Sequence, residues 1–365
     1  MEQVDERTIP WKATHPGTIL KYELEERNIS QKVLAALTGM QKSHISELVN
    51  GKRPMTKDIA DRMETVLGIS AVTLVNLQTQ YDYDVKVLRQ RGVEEQKALN
   101  ELRLYNELLD LNTIFKRREQ KSDSAVCRLD YLRNVCMLPK PAELKMEVNG
   151  MFRKSSRTGL DTRMLMTWKI LAETGAREQS VSGPFIRERE GDVVSELVRA
   201  LHRNIDVVAD VKDILSRNGI AFCIEEKVDR ASVDGYSFFE RGIPYIVLTR
   251  RYDRIENFAF ALMHEVGHIY CHYTDNSREN CKLSIPEYDN ESREEREANE
   301  YAANALIPNR DWKNAPKVRL TPADIQKSYT HWAAEHNLNK WIALGRISYE
   351  TGMYKFRSDE SRKIG

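Results

Sequence analysis

The chain has 365 residues, 30% of them charged, and a formal net charge of +1. That length allows two or three domains with ample surface to bury, and the near-neutral balance excludes a protein drawn to nucleic acid or membrane by bulk charge, so any basic site is local. Apolar runs such as Ile246-Val247-Leu248 are far too short to span a bilayer, and five irregularly spaced cysteines without a C-x-x-C pair read as reduced thiols of a cytoplasm. The acidic start, Met1 to Glu6, shows no secretory pattern.

Residues 1–84 predict an all-α module of short helices and tight turns. Thr18 to Glu26 reads as a first helix. Ser30 is a good N-cap for a second over Gln31 to Leu37, and Gly39 permits a tight turn. Gln41 to Val49 makes the next helix, ended by Asn50-Gly51. Two short helices about a glycine turn are the helix-turn-helix arrangement, whose second helix enters the major groove of DNA. Its buried side is expected at Ile45, Leu48 and Val49, its outward side at Gln41, Lys42, Ser43, His44 and Glu47. Lys42, Ser43 and Glu47 are the best base-edge candidates. Gln31, Asn50, Lys52, Arg53 and Lys57 are placed to hold phosphates and set register. Charge argues against this, because the module carries 10 Lys/Arg against 12 Asp/Glu. A helical protein-interaction module is therefore the competing reading.

Residues 85–190 read as a helical, charged middle region with little chemistry. Leu99, Leu102, Leu108 and Leu109 mark one amphipathic helix, and a second covers Arg163 to Ala172. Pro139-Lys140-Pro141 breaks the helices between them. Ser180 to Pro184 reads as a linker.

Residues 191–365 mix helix and strand. Val194, Leu197 and Leu201 share one helical face. Val211, Ile214 and Leu215 share another, with Gly219 as its left-handed cap. Ile220 to Glu225 reads as a strand, and Tyr236–Phe239 with Pro244–Leu248 as a hairpin about Glu240-Arg241-Gly242. Ile255, Phe258, Leu262, Val266 and Ile269 recur at helical spacing, and a further helix runs from Arg293 to Leu306, stopping before Pro308. Helices near Pro322–His336 and Trp341–Glu350 precede a charged tail, Lys355 to Gly365, expected to fray.

The first of these helices carries His264-Glu265-Val266-Gly267-His268. Histidines at i and i+4 lie one turn apart on one face, so both imidazoles can grip one metal ion. Glu265 then reaches the attacking water and serves as general base. A catalytic zinc takes a third protein ligand and leaves a place open. On Arg293 to Leu306 the apolar stripe is Ala298, Ala302, Ala305 and Leu306. Glu295 and Asn299 fall at its edge, whereas Glu294 and Glu297 point elsewhere, since two residues turn the helix by about 200°. Glu295 is thus the expected third ligand, and Asn299 the neighbour whose amide carbonyl accepts a ligand histidine's spare N–H. Cys271 and Cys281 are lesser candidates. Small residues at Gly267, Ala298 and Ala302 let two helix backbones approach, which ordinary packing also requires. An oxyanion donor is expected, with His272, His331 and Arg346 as candidates, each of which reads more readily as a structural or surface residue. The strand Pro244 to Thr249, if at a sheet edge, can pair with an extended substrate.

Two resemblances follow. Phe260 to His268, Glu295 to Ala303 and Leu306-Ile307-Pro308, with Gly219-Ile220, Gly235 to Phe238 and Pro244 to Thr249 before them, resemble the ImmA/IrrE metallopeptidases over roughly half the chain. The resemblance implies a gluzincin-like peptidase, with His264, His268 and Glu295 as ligands, Glu265 as base, and DNA-binding repressors among the family's substrates. Trp341 to Arg346 is a looser match. His15 to Leu20, Leu24 to Arg27, Ser30-Gln31, Leu37 to Gly39 and Ile45 to Pro54 resemble the HigA-type antitoxin branch of the Xre-family DNA-binding domains, as do Leu67-Gly68 and Asn76 to Asp82. This implies operator binding as a homodimer on an inverted repeat, and a toxin partner.

The sequence thus predicts an α+β chain, mostly helical. A helix-turn-helix domain (1–84) is followed by a helical middle region (85–190) and a gluzincin-like metallopeptidase domain with a small sheet (191–365). The expected function is a cytoplasmic, antitoxin-like DNA-binding transcriptional regulator. It holds one Zn²⁺ per chain and cleaves a regulatory protein such as a repressor, with no membrane role. One alternative is a non-catalytic repressor that keeps the metal domain as sensor or docking scaffold. Another is a peptidase whose helical N-terminus captures protein substrates.

Overall fold

The computed structural model describes residues 12–155, 161–250, 252–273, 281–284, 292–317 and 321–365. The chain divides into two compact units, residues 1–100 with 124–126, and residues 101–123 with 127–365. It is mostly helical with one small sheet, and among the described residues no helix is long and apolar enough to cross a membrane.

The first unit is built from α1 (Pro16–Glu26), α2 (Gln31–Thr38), α3 (Lys42–Val49), α4 (Lys57–Leu67) and the first part of α5 (Ala71–Leu108). Each start has a local cause. His15 Nδ1 accepts the Gly17 N–H and Pro16 occupies the first turn, so α1 begins two residues earlier than expected. Ser30 Oγ accepts from Val33 N ahead of α2, and Thr56 caps α4 in the same way. Gly39 (φ 67°) and Gly68 (φ 70°) end α2 and α4 in the left-handed conformation. Leu20, Leu34, Ile45, Leu48, Met63 and Leu74 are fully buried in one core. Each contributes about 1.5–3 kcal/mol by leaving water.

α1 starts in close contact with the end of α3. A Cβ on Gly17 would sit 1.9 Å from the Leu48 carbonyl oxygen, whereas one on Gly92, within α5, would meet nothing within 4 Å. One substitution should therefore act with opposite signs. Gly17→Ala is expected to destabilise this unit by at least about 2 kcal/mol through overpacking against backbone. Gly92→Ala should stabilise it by about 0.5–1 kcal/mol through helix propensity. Urea unfolding of the two variants beside wild type checks both.

The second unit takes the end of α5, then α6 (Leu111–Arg117), α7 (Ala125–Asn134), whose first residues belong to the first unit, α8 (Pro141–Ser155) and α9 (Thr162–Arg177). It continues through α10 (Glu190–Arg203), α11 (Val207–Arg217), β1 (Ala221–Ile224), β2 (Gly235–Glu240) and β3 (Ile243–Leu248). Then come α12 (Ile255–Cys271), β4 (Cys281–Ser284), α13 (Arg293–Leu306), α14 (Asn309–Trp312), α15 (Pro322–Glu335) and α16 (Lys340–Thr351). β2 and β3 form the expected hairpin, turned by Arg241 (φ 53°) and Gly242 (φ 81°), the paired positive angles of a two-residue hairpin turn.

Three local expectations are corrected. The sheet order is β1-β3-β2-β4, with β3 parallel to β1 and antiparallel to β2. Pro244 to Leu248 is therefore an internal strand with both edges paired, and no substrate can add to it. The ends of the sheet are β1 and β4. Ser180 to Pro184 is not a free tether, since Ser182 N and Gly183 N both donate to Ser216 O at 3.0 and 3.2 Å. The charged tail is tied down rather than frayed. Arg362 pairs with Glu256 at 2.7 Å, Ser361 Oγ accepts from Trp341 Nε1, and Gly365 N donates to Asn204 Oδ1.

α12 is the centre of this unit. It packs on β2 and β3, on α10, and on α13 and α16. Ile255, Ala259, Leu262, Met263, Val266 and Ile269 are fully buried. A helix covered on several faces holds its polar side chains in fixed positions, and α12 carries its histidines there.

Candidate metal centre and helix-turn-helix surface

α12 brings His264 and His268 together by its own period, and α13 brings the third donor. Ser292 Oγ accepts from Glu295 N, which starts α13 and fixes Glu295 in its first turn. Small residues close the gap between the two helices. Ala298 and Ala302 are fully buried, and a Cβ on Gly267 would lie 3.1 Å from the Tyr301 ring. His264, His268 and Glu295 converge as the one group of metal-binding side chains found among the described residues. The two Nε2 atoms are 3.0 Å apart. Glu295 Oε2 lies 3.2 Å from His264 Nε2, and Oε1 lies 3.4 Å from His268 Nε2. Cys271 is a free, exposed thiol outside this group, and the Cys281 side chain lies outside the described residues.

The other ring nitrogens are engaged. His264 Nδ1 lies 2.8 Å from Asn299 Oδ1, the contact expected of that amide. His268 Nδ1 lies 3.0 Å from His272 Nδ1. Burial would raise the Glu295 carboxyl, but the His264 and His268 imidazoles facing it outweigh that and hold it far below the usual carboxylate range. Burial likewise opposes charge on His264, yet the Glu295 hydrogen bond and the charge of Glu265 raise it. The pocket of α12 and α13 attracts positive charge.

Glu265 is fully buried beside this group. Ser237 Oγ on β2 donates to Glu265 Oε2 at 2.5 Å and lies 2.8 Å from the Tyr273 hydroxyl, which itself donates to Ser237 O. A Cβ on Gly235 would sit 2.4 Å from Glu265 Oε1. The first residues of β2 therefore form the wall against which the carboxylate rests. Sequence reasoning placed Gly235 and Ser237 in the segment that resembles the metallopeptidases but gave neither a role at the site, and it did not name Tyr273.

The three oxyanion candidates sit elsewhere or are occupied. His272 is bonded to His268 and Glu297. His331 is exposed on α15 and pairs with Glu335. Arg346 donates to Ala303 O and Ile307 O and lies over the Trp312 ring.

In the first unit, α2 and α3 are joined by a three-residue turn, Gly39 to Gln41. Ile45, Leu48 and Val49 form the buried side of α3 as expected. Gln41, Lys42 and Ser43 are exposed, with His44 and Glu47 half-buried. Asn50 and Lys52 are exposed, and Gln31 and Arg53 are half-buried. Asn50 Nδ2 donates to Ser46 O at 2.8 Å and closes α3. Glu47 and Arg53, assigned from sequence to a base edge and a phosphate, are bonded to each other, with Arg53 Nε and Nη2 both 2.9 Å from Glu47 Oε2. A pair this exposed is worth about 0–1 kcal/mol and opens easily to a competing ligand.

Residues 20–74 match the family model described as helix-turn-helix, and residues 219–348 match that of the IrrE N-terminal-like domain, peptidase family M78. The chain joins a helix-turn-helix domain to an IrrE-like domain. A curated relative of the first, virulence-associated protein I of Dichelobacter nodosus, is 38% identical over 71 residues, which are 19% of this chain and 66% of that protein. The chain thus spans just under two thirds of that relative's length. The HigA-family addiction module antidote protein of Coxiella burnetii is 30% identical with a TM-score of 0.21, over 24% of this chain and 94% of its own. A putative plasmid-maintenance antidote protein of Nostoc punctiforme is 29% identical with a TM-score of 0.23, over 23% and 93%. The Pseudomonas aeruginosa antitoxin HigA, solved with the higBA promoter, is 29% identical with a TM-score of 0.21, over 22% and 88%. In the IrrE-like domain the matched span contains α12, α13 and all four strands, and so every residue of the metal-binding group.

Proposed function

We propose that this chain is a DNA-binding regulator whose IrrE-like domain is a zinc-dependent endopeptidase acting on a regulatory protein. The observation that carries the peptidase reading is the convergence of His264, His268 and Glu295 beside the buried carboxylate of Glu265. The donor set fits zinc on spacing. Ligands at zinc-to-nitrogen or zinc-to-oxygen bond length on a tetrahedron lie about 3.3 Å from one another, and here the separations are 3.0, 3.2 and 3.4 Å. Zinc bound there supplies a Lewis acid for the scissile carbonyl and makes water more acidic.

The remaining work falls to side chains. Asn299 and His272 engage the Nδ1 atoms and leave the Nε2 lone pairs for the metal. Glu265 takes a proton from the attacking water and delivers it to the leaving amine. Ser237 holds the Glu265 Oε2 atom and so keeps the base from swinging away. The fully buried position of Glu265 limits competing water and strengthens its electrostatics.

The DNA reading rests on the helix-turn-helix match and on exposed Lys42 and Ser43 at the start of α3. Gln41, Lys42, Ser43 and Glu47 face base edges in this proposal. Gln31, Asn50, Lys52 and Arg53 face phosphates, with the domain dimeric on an inverted repeat. A cytoplasmic location and a toxin partner belong to the same reading.

Two measurements test it. Metal analysis of the purified chain should give about one zinc per chain, and a preparation that takes up none removes the peptidase half. Binding to the DNA upstream of the chain's own gene should weaken roughly tenfold in Lys42→Ala at constant salt. A wild-type chain that does not bind that fragment would leave the module as a protein-capture device, and equal affinity of wild type and variant would remove Lys42 from the contact.

A further inference from the structure

We propose that His272 and Glu297 form a hydrogen-bond relay that fixes His268 as an Nε2 donor, and that both are positioning residues of the metal centre. The inference rests on the metal reading of the site and extends it to two residues outside the ligand set. His264, His268 and His272 recur at every fourth position of α12 and its C-cap, so three rings lie along one face. Their contacts run in one direction. Glu297 Oε1 accepts from Arg293 Nε at 2.7 Å, and Glu297 Oε2 lies 3.1 Å from His272 Nε2. A carboxylate only accepts, so His272 carries its hydrogen on Nε2. In the relay His272 is neutral and has one N–H, so its Nδ1 is then an acceptor. It lies 3.0 Å from His268 Nδ1, which must donate to it. The bare nitrogen of His268 is therefore Nε2, the atom that faces His264 Nε2 and Glu295 Oε1.

The two ligand histidines are thus oriented by different devices. His264 donates directly to the Asn299 amide oxygen. His268, fully buried, reaches a carboxylate only through a second imidazole. The relay leads outward from His268 through His272, whose side chain is 7% exposed, to Glu297, at 42%. Each link removes one wrong tautomer, and a wrong tautomer at His268 would point an N–H at the metal.

The test is zinc affinity of the full chain, measured by competition with a chromogenic chelator. His272→Leu should weaken zinc binding roughly 10- to 100-fold, the usual range for an outer-shell partner. His272→Gln, whose amide oxygen can accept from Nδ1, should recover most of that loss. Glu297→Ala, at the exposed end, should weaken zinc several-fold in the wild-type background and not at all in His272→Leu. The cobalt-substituted variants should keep the wild-type visible band pattern, because the ligands are unchanged. His272→Leu within twofold of wild type overturns the relay, as does an equal effect of Glu297→Ala in both backgrounds. An altered cobalt spectrum would make His272 a ligand and also overturn it. If His272→Leu does not fold, Glu297→Ala at wild-type affinity suffices to reject it. A wild-type chain that binds no zinc sinks the metal reading itself, whereas normal wild-type binding with unchanged variants sinks only the relay.

Discussion

Glu265→Gln is expected to retain one zinc per chain and to lower peptide cleavage by about 10²- to 10⁴-fold, the range for loss of a positioned general base. The substitution keeps shape and volume. Ser237 Oγ can still donate to the side-chain oxygen at position 265, so the wall at β2 stays packed. What is lost is the ability to take a proton. Zinc should remain because Glu265 is outside the converging group of His264, His268 and Glu295. Cleavage of a mixed peptide library, read by mass spectrometry on zinc-loaded wild type and variant, checks the prediction. Wild-type-like turnover in the variant would remove Glu265 as base. Unchanged regulation in cells carrying the variant would favour the non-catalytic reading, with the IrrE-like domain as sensor or docking scaffold.

The second large effect concerns stability. Removing metal with a chelator is expected to lower the unfolding temperature of the IrrE-like domain by roughly 10 °C and to leave the helix-turn-helix transition in place. Free zinc at about a thousand times its dissociation constant stabilises the state that binds it by about 4 kcal/mol. For a unit of this size each kcal/mol moves the midpoint by about 2–4 °C. The effect is confined to one unit because all three donors lie in it. Scanning calorimetry with and without chelator reads both transitions. Glu295→Ala should show almost no difference between the two conditions. A wild-type scan that does not respond to chelator would count against a structural hold by the ion.

What the sequence disclosed about the site was what a single helical period encodes. His264 and His268 sit one turn apart, and Glu295 and Asn299 lie on the packed edge of α13, so their meeting follows from two amphipathic stripes. Ser30, Gly39 and Gly219 announced their caps because capping is local chemistry. The sheet order was not legible. That β3 lies between β1 and β2 depends on a parallel crossover, which no window of the sequence contains. The same holds for Ser237 and Tyr273, which reach Glu265 from 28 residues away in one case and through Ser237 in the other. Glu47 and Arg53 could not be seen as partners because their pairing follows from the path of the chain after α3. The relay left a trace that was underused. His272 continues the i+4 spacing of His264 and His268, which puts it on the ligand face rather than across the cleft.

The bare backbone at Gly235 also bears on how this chain can change over generations. A methyl there would press on the Glu265 side chain, at Oε1, Cδ and Cγ, rather than on the strand ladder. The strain would fall on the proposed base rather than on the sheet. On the proposed function, a lineage could thus shed hydrolysis through a single codon with its helix-turn-helix surface untouched, and the silent descendant need not look degenerate anywhere else.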